Sequence, residues 1–188
     1  MISVRERVIN TASRLFIEQG YNLTGINQII EEAGIAKASL YYHFPTKEDL
    51  CIEYLKRRNE QWLQSLSEHL KHITDAKQRI IKTFEYRAVY IKLNCYSGCS
   101  YVRIISELPQ RSKKIDNQVI LQKENQQKFF LDLVNQLKGL SKERKLLLGE
   151  ALFILFDGAI TQCQIFKNTL PIEKAKRTAI RLLNPKPL

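Results

Sequence analysis

Residues 37–43 gather side chains that a solvated helix surface rarely collects. Stepping 100° per residue, Leu40 and Phe44 fall together and face inward. Ala38, Ser39 and Tyr42 lie opposite them, with Tyr41 and His43 on the flanks. Small, hydroxyl, phenol and imidazole groups thus stand where Lys and Glu are usual. The residues that must position this face lie on either side of it. Thr24 is read as the N-cap of a short helix whose apolar stripe is Ile26, Ile29, Ile30 and Ala33, and Gly34 sits where a left-handed C-cap is wanted. Ile35 plugs the turn, and a second short helix runs from about Ala36 to Phe44. Pro45 breaks it, and Thr46 with Asp49 forms a capping box, Asp replacing the usual Glu, for a third and longer helix. The arrangement is a helix-turn-helix with its recognition helix at 37–43.

No other stretch assembles a reactive set. There is no Gly-rich phosphate loop, no HExxH and no CxxC, and no motif brings a nucleophile, base and acid together. No catalytic, metal or cofactor residue is therefore assigned. Cys95 and Cys99 are four apart, but Gly98 lies between them and no His is near; small buried thiols are the plainer reading. His69 and His72, three apart on a polar helix end, read as a solvated face.

The net charge is +11, yet residues 1–60 hold eight Lys and Arg against eight Asp and Glu. The whole excess lies in 61–188, so bulk charge does not locate a nucleic-acid surface; placed lysines and helix N-termini must. Four cysteines in 188 residues are too few and too scattered for a disulfide scaffold. No run approaches the ~18 apolar residues of a membrane span, and no export signal opens the chain, so a cytoplasmic protein with no membrane partner is expected.

Taken in order, the pattern predicts an all-α protein. Ser3 and Glu6 cap a helix over about 3–19, with Val8, Ala12, Leu15 and Phe16 inward and Gly20 at its end. A three-helix domain over 1–46 follows, then a larger helical domain over 47–188, with 47–72 as the connecting helix. Further helices are expected at 75–92, opened by Asp75; at 100–108, with Val102, Ile105 and Leu108 inward and Pro109 after it; and at 112–137, 141–167 and 172–183.

The run from Gly34 through Leu50, above all Lys37-Ala38-Ser39-Leu40-Tyr41-Tyr42-His43-Phe44 followed by Lys47, resembles the DNA-binding signature of TetR-family transcriptional regulators. The resemblance covers residues 3–55. Gly25 and Ile30 stand where that family usually has a hydroxyl residue and an Ala, and Ala36 replaces its usual Ser or Thr cap. The resemblance implies that Lys37, Ala38, Ser39 and Tyr41 meet base edges or adjoining backbone in the major groove. It likewise implies that Thr24, Tyr42, His43 and Lys47 contact phosphates. Lys can donate to guanine, and small or aromatic groups can meet a thymine methyl.

The expected function is a DNA-binding regulator, a repressor that holds a near-palindromic operator as a homodimer and is released by a small-molecule effector. The long helices carry more inward aromatic and polar groups than a small core needs. Phe84, Arg87, Tyr90, Cys99, Tyr101, Phe129 and Phe130 are the candidate effector pocket. Residues 146–160 are apolar nearly all round and need a second covering surface. Leu152, Phe153, Phe156, Ile160, Ala179 and Leu182 are accordingly expected at the dimer interface. The competing readings are a constitutive DNA-binding protein without a ligand, a thiol-responsive regulator using Cys95 and Cys99, and an enzyme on a helical scaffold, against which stands the missing catalytic set.

Overall fold

A computed structural model describes residues 2–108, 110 and 112–184. Among these, every regular element is helical: α1 Val4–Glu18, α2 Ile26–Ala33, α3 Lys37–His43, α4 Lys47–Leu70, α5 Ala76–Leu93, α6 Ser100–Glu107, α7 Lys113–Asn135, α8 Lys142–Phe166 and α9 Leu170–Leu183. The expected capping chemistry is present. Ser3 Oγ accepts from the Glu6 N–H, Asp75 from that of Gln78 and Ser141 from that of Arg144. Pro109 lies outside the described residues.

The chain divides into two compact units, one of residues 1–61 with 100–121, the other of 62–99 with 122–188. In the first, Val8, Ile9, Ala12, Leu15 and Phe16 of α1 share a buried core with Ile29 and Ala33 of α2, Leu40 of α3 and Leu50, Tyr54 and Leu55 of α4. The Phe16 ring stands 5.4 Å from those of Tyr21 and Tyr54. Arg57 ties α4 to α1 by donating to Glu6 at 2.6 Å and to Asn10 at 2.8 Å. Helix α6 also belongs to this unit. Its inward residues are Tyr101 and Ile104, not Val102, Ile105 and Leu108: Val102 is exposed and the other two are half-buried. In eight residues the apolar pattern admits either face, and tyrosine, amphipathic, takes the inward one.

In the second unit α8 packs on α9, and α9 on α5. Phe84, Phe130 and Phe156 form a close aromatic cluster with centroids 5.2–6.0 Å apart. Helix α8 is, by length and composition, apolar enough to cross a membrane, which corrects the expectation that no segment is. Its apolar residues serve two faces. Leu148, Leu152, Phe156, Ala159, Ile160 and Cys163 are buried within the chain, while Leu147, Ile154 and Ile165 form a stripe at helical spacing on the outside. The expectation that Leu152, Phe156, Ile160 and Ala179 cover a partner is thereby corrected, since each is at most 3% exposed in the single chain. Phe153 and Leu182 are half-buried.

Candidate nucleic-acid interface

Helix α3 is presented by three local devices. Gly34, at φ 60° and ψ 48°, ends α2 in the left-handed conformation that a side chain disfavours, and its N–H returns to the Ile30 and Glu31 carbonyls. Leu40 and Phe44, at 0% and 3% exposure, anchor one side of α3 in the core. Beyond Pro45, the Thr46 N–H donates to the Asp49 carboxylate at 3.1 Å, and the Asp49 N–H donates to Thr46 Oγ1 at 3.1 Å. The box is reciprocal, and its hydrogen bond from the Thr46 hydroxyl holds the Asp49 carboxyl below the ordinary carboxylate range.

The opposite side of α3 is open. Lys37 and Ala38 are exposed, and Ser39 and His43 are half-buried. Tyr41 is 42% and Tyr42 84% exposed. The Tyr42 and His43 rings meet edge to face at 5.0 Å. With Val4 of α1, Ala38 and Ser39, they line a shallow hollow of about 340 Å³. Lys37, Ala38, Ser39, Tyr41, Tyr42 and His43 are thus brought onto one continuous surface.

Lys47 stands beside it, at the first position of α4. Its ammonium lies 4.3 Å from the centroid of the Tyr21 ring, and the loss of water there lowers its basicity. Thr24 is a correction. It is fully buried and its hydroxyl donates to the Gly20 carbonyl at 2.6 Å, so Gly25 is the N-cap of α2 and Thr24 offers no group to a phosphate. A threonine before a helix suggests a cap, but the tight 20–24 turn claims the hydroxyl first.

Two further residues shape this surface and leave no mark in the sequence. Glu107 of α6 accepts the Tyr21 N–H at 2.5 Å and the Asn22 N–H at 3.3 Å, holding the turn between α1 and α2. Arg103, paired with Glu107 at 2.9 Å, donates to the Ile17 carbonyl at 2.7 Å. Both reach partners more than eighty residues away in the chain, beyond any local pattern.

The other expected sites fall in two places. Phe84, Arg87, Tyr90, Phe129 and Phe130 gather in the second unit, where the Arg87 guanidinium lies over the Trp62, Tyr90 and Phe156 rings at 5.2–5.9 Å. Cys99 is buried there, 3.5 Å from the Lys123 ammonium, which also pairs with Asp157. Tyr101 belongs to the first unit. Trp62 and Phe156 also belong to the aromatic group, although no sequence pattern singles them out for it. Cys95 is exposed and at φ 51°, and all four cysteines are free.

Residues 8–54 match the family model described as bacterial regulatory proteins, tetR family. The HTH-type transcriptional regulator LmrA of Bacillus subtilis is 40% identical over 97 residues, 51% of this chain and 48% of that protein. The HTH-type transcriptional regulator QacR of Staphylococcus aureus is 36% identical over 61 residues, 32% of each chain. The match thus spans about half or less of these relatives' length. A crystal structure of a TetR-family transcriptional regulator from Streptomyces coelicolor superposes with a TM-score of 0.84 at 23% identity, covering 96% of this chain and 94% of that one. The likeness of fold therefore extends far beyond residues 8–54, which the family model matches. Residues 8–54 thus carry a helix-turn-helix like that of the tetR family of bacterial regulatory proteins.

Proposed function

We propose that the chain is a transcriptional regulator that represses by gripping a near-palindromic duplex as a two-fold dimer and is released by a small molecule. One observation carries this reading: a recognition helix anchored by Leu40 and Phe44 turns Lys37, Ala38, Ser39, Tyr41 and Tyr42 outward on one surface. Lys37, Ala38, Ser39 and Tyr41 read base edges; Tyr42, His43 and Lys47 hold phosphates.

The dimer uses α8 and α9 through their outer faces. Ile154, Ile165, Phe166 and Leu170 are 46–68% exposed. Phe166 and Leu170 line a groove of about 530 Å³ together with Leu155, Gly158 and Pro171. Two-fold pairing sets the two recognition helices into successive major grooves, about 34–36 Å apart. The effector occupies the aromatic group of the second unit. There the Trp62 indole N–H is buried without an acceptor among the described residues, a donor for a ligand to satisfy. The site of action is the cytoplasm, and no reaction is catalysed.

Selection of bound duplexes from a random pool tests the reading. Enrichment of an inverted repeat with half-sites about one helical turn apart supports it; a pool that stays random after repeated rounds overturns it.

A further inference from the structure

Lys47, on the reading above, is a phosphate contact, and its long flexible stem gives it no fixed position of its own. The structure supplies one. Its ammonium rests on the face of Tyr21, 4.3 Å from the ring centroid. The ring is itself held. It packs on Phe16 at 5.4 Å and is 7% exposed, and the Tyr21 N–H is bound by the Glu107 carboxylate at 2.5 Å. Gly20, at φ 93°, makes room for that carboxylate, since a Cβ there would lie 2.6 Å from it. We infer that Tyr21 is a positioning residue for DNA binding: its ring sets the Lys47 ammonium for a phosphate, and Glu107 sets the ring, so α6 controls the Lys47 contact through one residue.

The chemistry fits a poised cation. The ammonium is partly stripped of water, which lowers its basicity, while the Glu107 carboxylate acts in the other direction. An incoming phosphate therefore replaces a weak aromatic partner rather than a full hydration shell. Displacing Glu107 would let the 20–22 turn relax and the ring leave the lysine. The inference depends on Lys47 being a phosphate contact, so the test separates the two.

Operator affinity is measured as a function of salt for the full chain and for Lys47→Ala, Tyr21→Phe, Tyr21→Leu, Glu107→Ala and the Lys47→Ala/Tyr21→Leu pair. Each lost phosphate contact lowers the slope of log K against log salt by about one per protomer. Lys47→Ala is expected to show that drop. Tyr21→Leu should match it, Tyr21→Phe should behave as the parent, and the pair should add no more than about twofold to Lys47→Ala alone. Glu107→Ala, which alters neither Tyr21 nor Lys47 but frees the 20–22 turn, should reproduce the drop and serves if Tyr21→Leu does not fold. An unchanged slope in Lys47→Ala removes the contact and the inference with it. A drop in Lys47→Ala with none in Tyr21→Leu or Glu107→Ala leaves the contact standing and overturns the inference alone. Loss in Tyr21→Phe overturns it too, by assigning the effect to the hydroxyl.

Discussion

Tyr42 exposes 84% of its surface and, among the described residues, its ring meets that of its neighbour His43 alone, so its side chain adds little to the core. Replacing it with Ala should leave the melting temperature unchanged while weakening all duplexes alike, by about 1.5–3 kcal/mol for a hydrogen bond to a charged group. Binding titrations beside a thermal melt check both halves. Gly20 makes the opposite case. Gly20→Ala combines φ 93° with a clash against Glu107, and should cost about 1–3 kcal/mol of stability in chemical denaturation. The outward residues of α3 are legible in the sequence because their types depart from an ordinary helix surface. Thr24 misleads, because a hydroxyl before a helix suggests a cap and only the folded 20–24 turn shows that the Gly20 carbonyl takes its hydrogen bond.

Elements with sharp punctuation are legible within a residue or two. Gly34 and Pro45 bracket α3, and Ser3, Asp75 and Ser141 each accept the expected capping hydrogen bond. Faces are harder. Helix α8 is apolar nearly all round, so its sequence does not say which side its own chain buries; the packing of α9 and α5 decides that. Phe156→Ala should therefore destabilise the protein by about 3–5 kcal/mol, as loss of a buried aromatic does, when followed by denaturant unfolding. Ile154→Glu or Ile165→Glu, on the outer stripe, should instead leave a folded monomer in sedimentation. Glu85 joins α5 to α9 through Lys176 at 3.1 Å and also meets Lys82 at 2.8 Å. Chiefly the hydrogen bond from Lys82 lowers its pKa below the ordinary 4.5. A lowered carboxylate contributes stability that is fully present above its unfolded value and is lost as pH falls through the folded one. The melting-temperature difference between parent and Glu85→Gln should accordingly be seen near neutral pH and vanish well below pH 4.5.

For the whole molecule, charge distribution and function point to different places. Residues 1–60 are neutral in sum, and the +11 resides in the remainder, so on the proposed function specific binding rests on placed groups such as Lys37 and Lys47. Helix α6 begins at Ser100 yet shares a compact unit with α3, and Glu107 and Arg103 bind it to the end of α1 and the turn after it, a link that nothing periodic in the sequence announces. The most direct measurement is an equilibrium titration of one selected duplex and its scrambled counterpart with the parent, Lys37→Ala and Tyr42→Ala at fixed salt. The parent should prefer the selected duplex by about 10³-fold or more, with two protomers per site. Lys37→Ala should change which duplex is preferred, and Tyr42→Ala should weaken both. Equal affinity of the parent for the two duplexes, or unaltered binding by both folded variants, would contradict the assignment of residues 37–43 as the reader of DNA sequence.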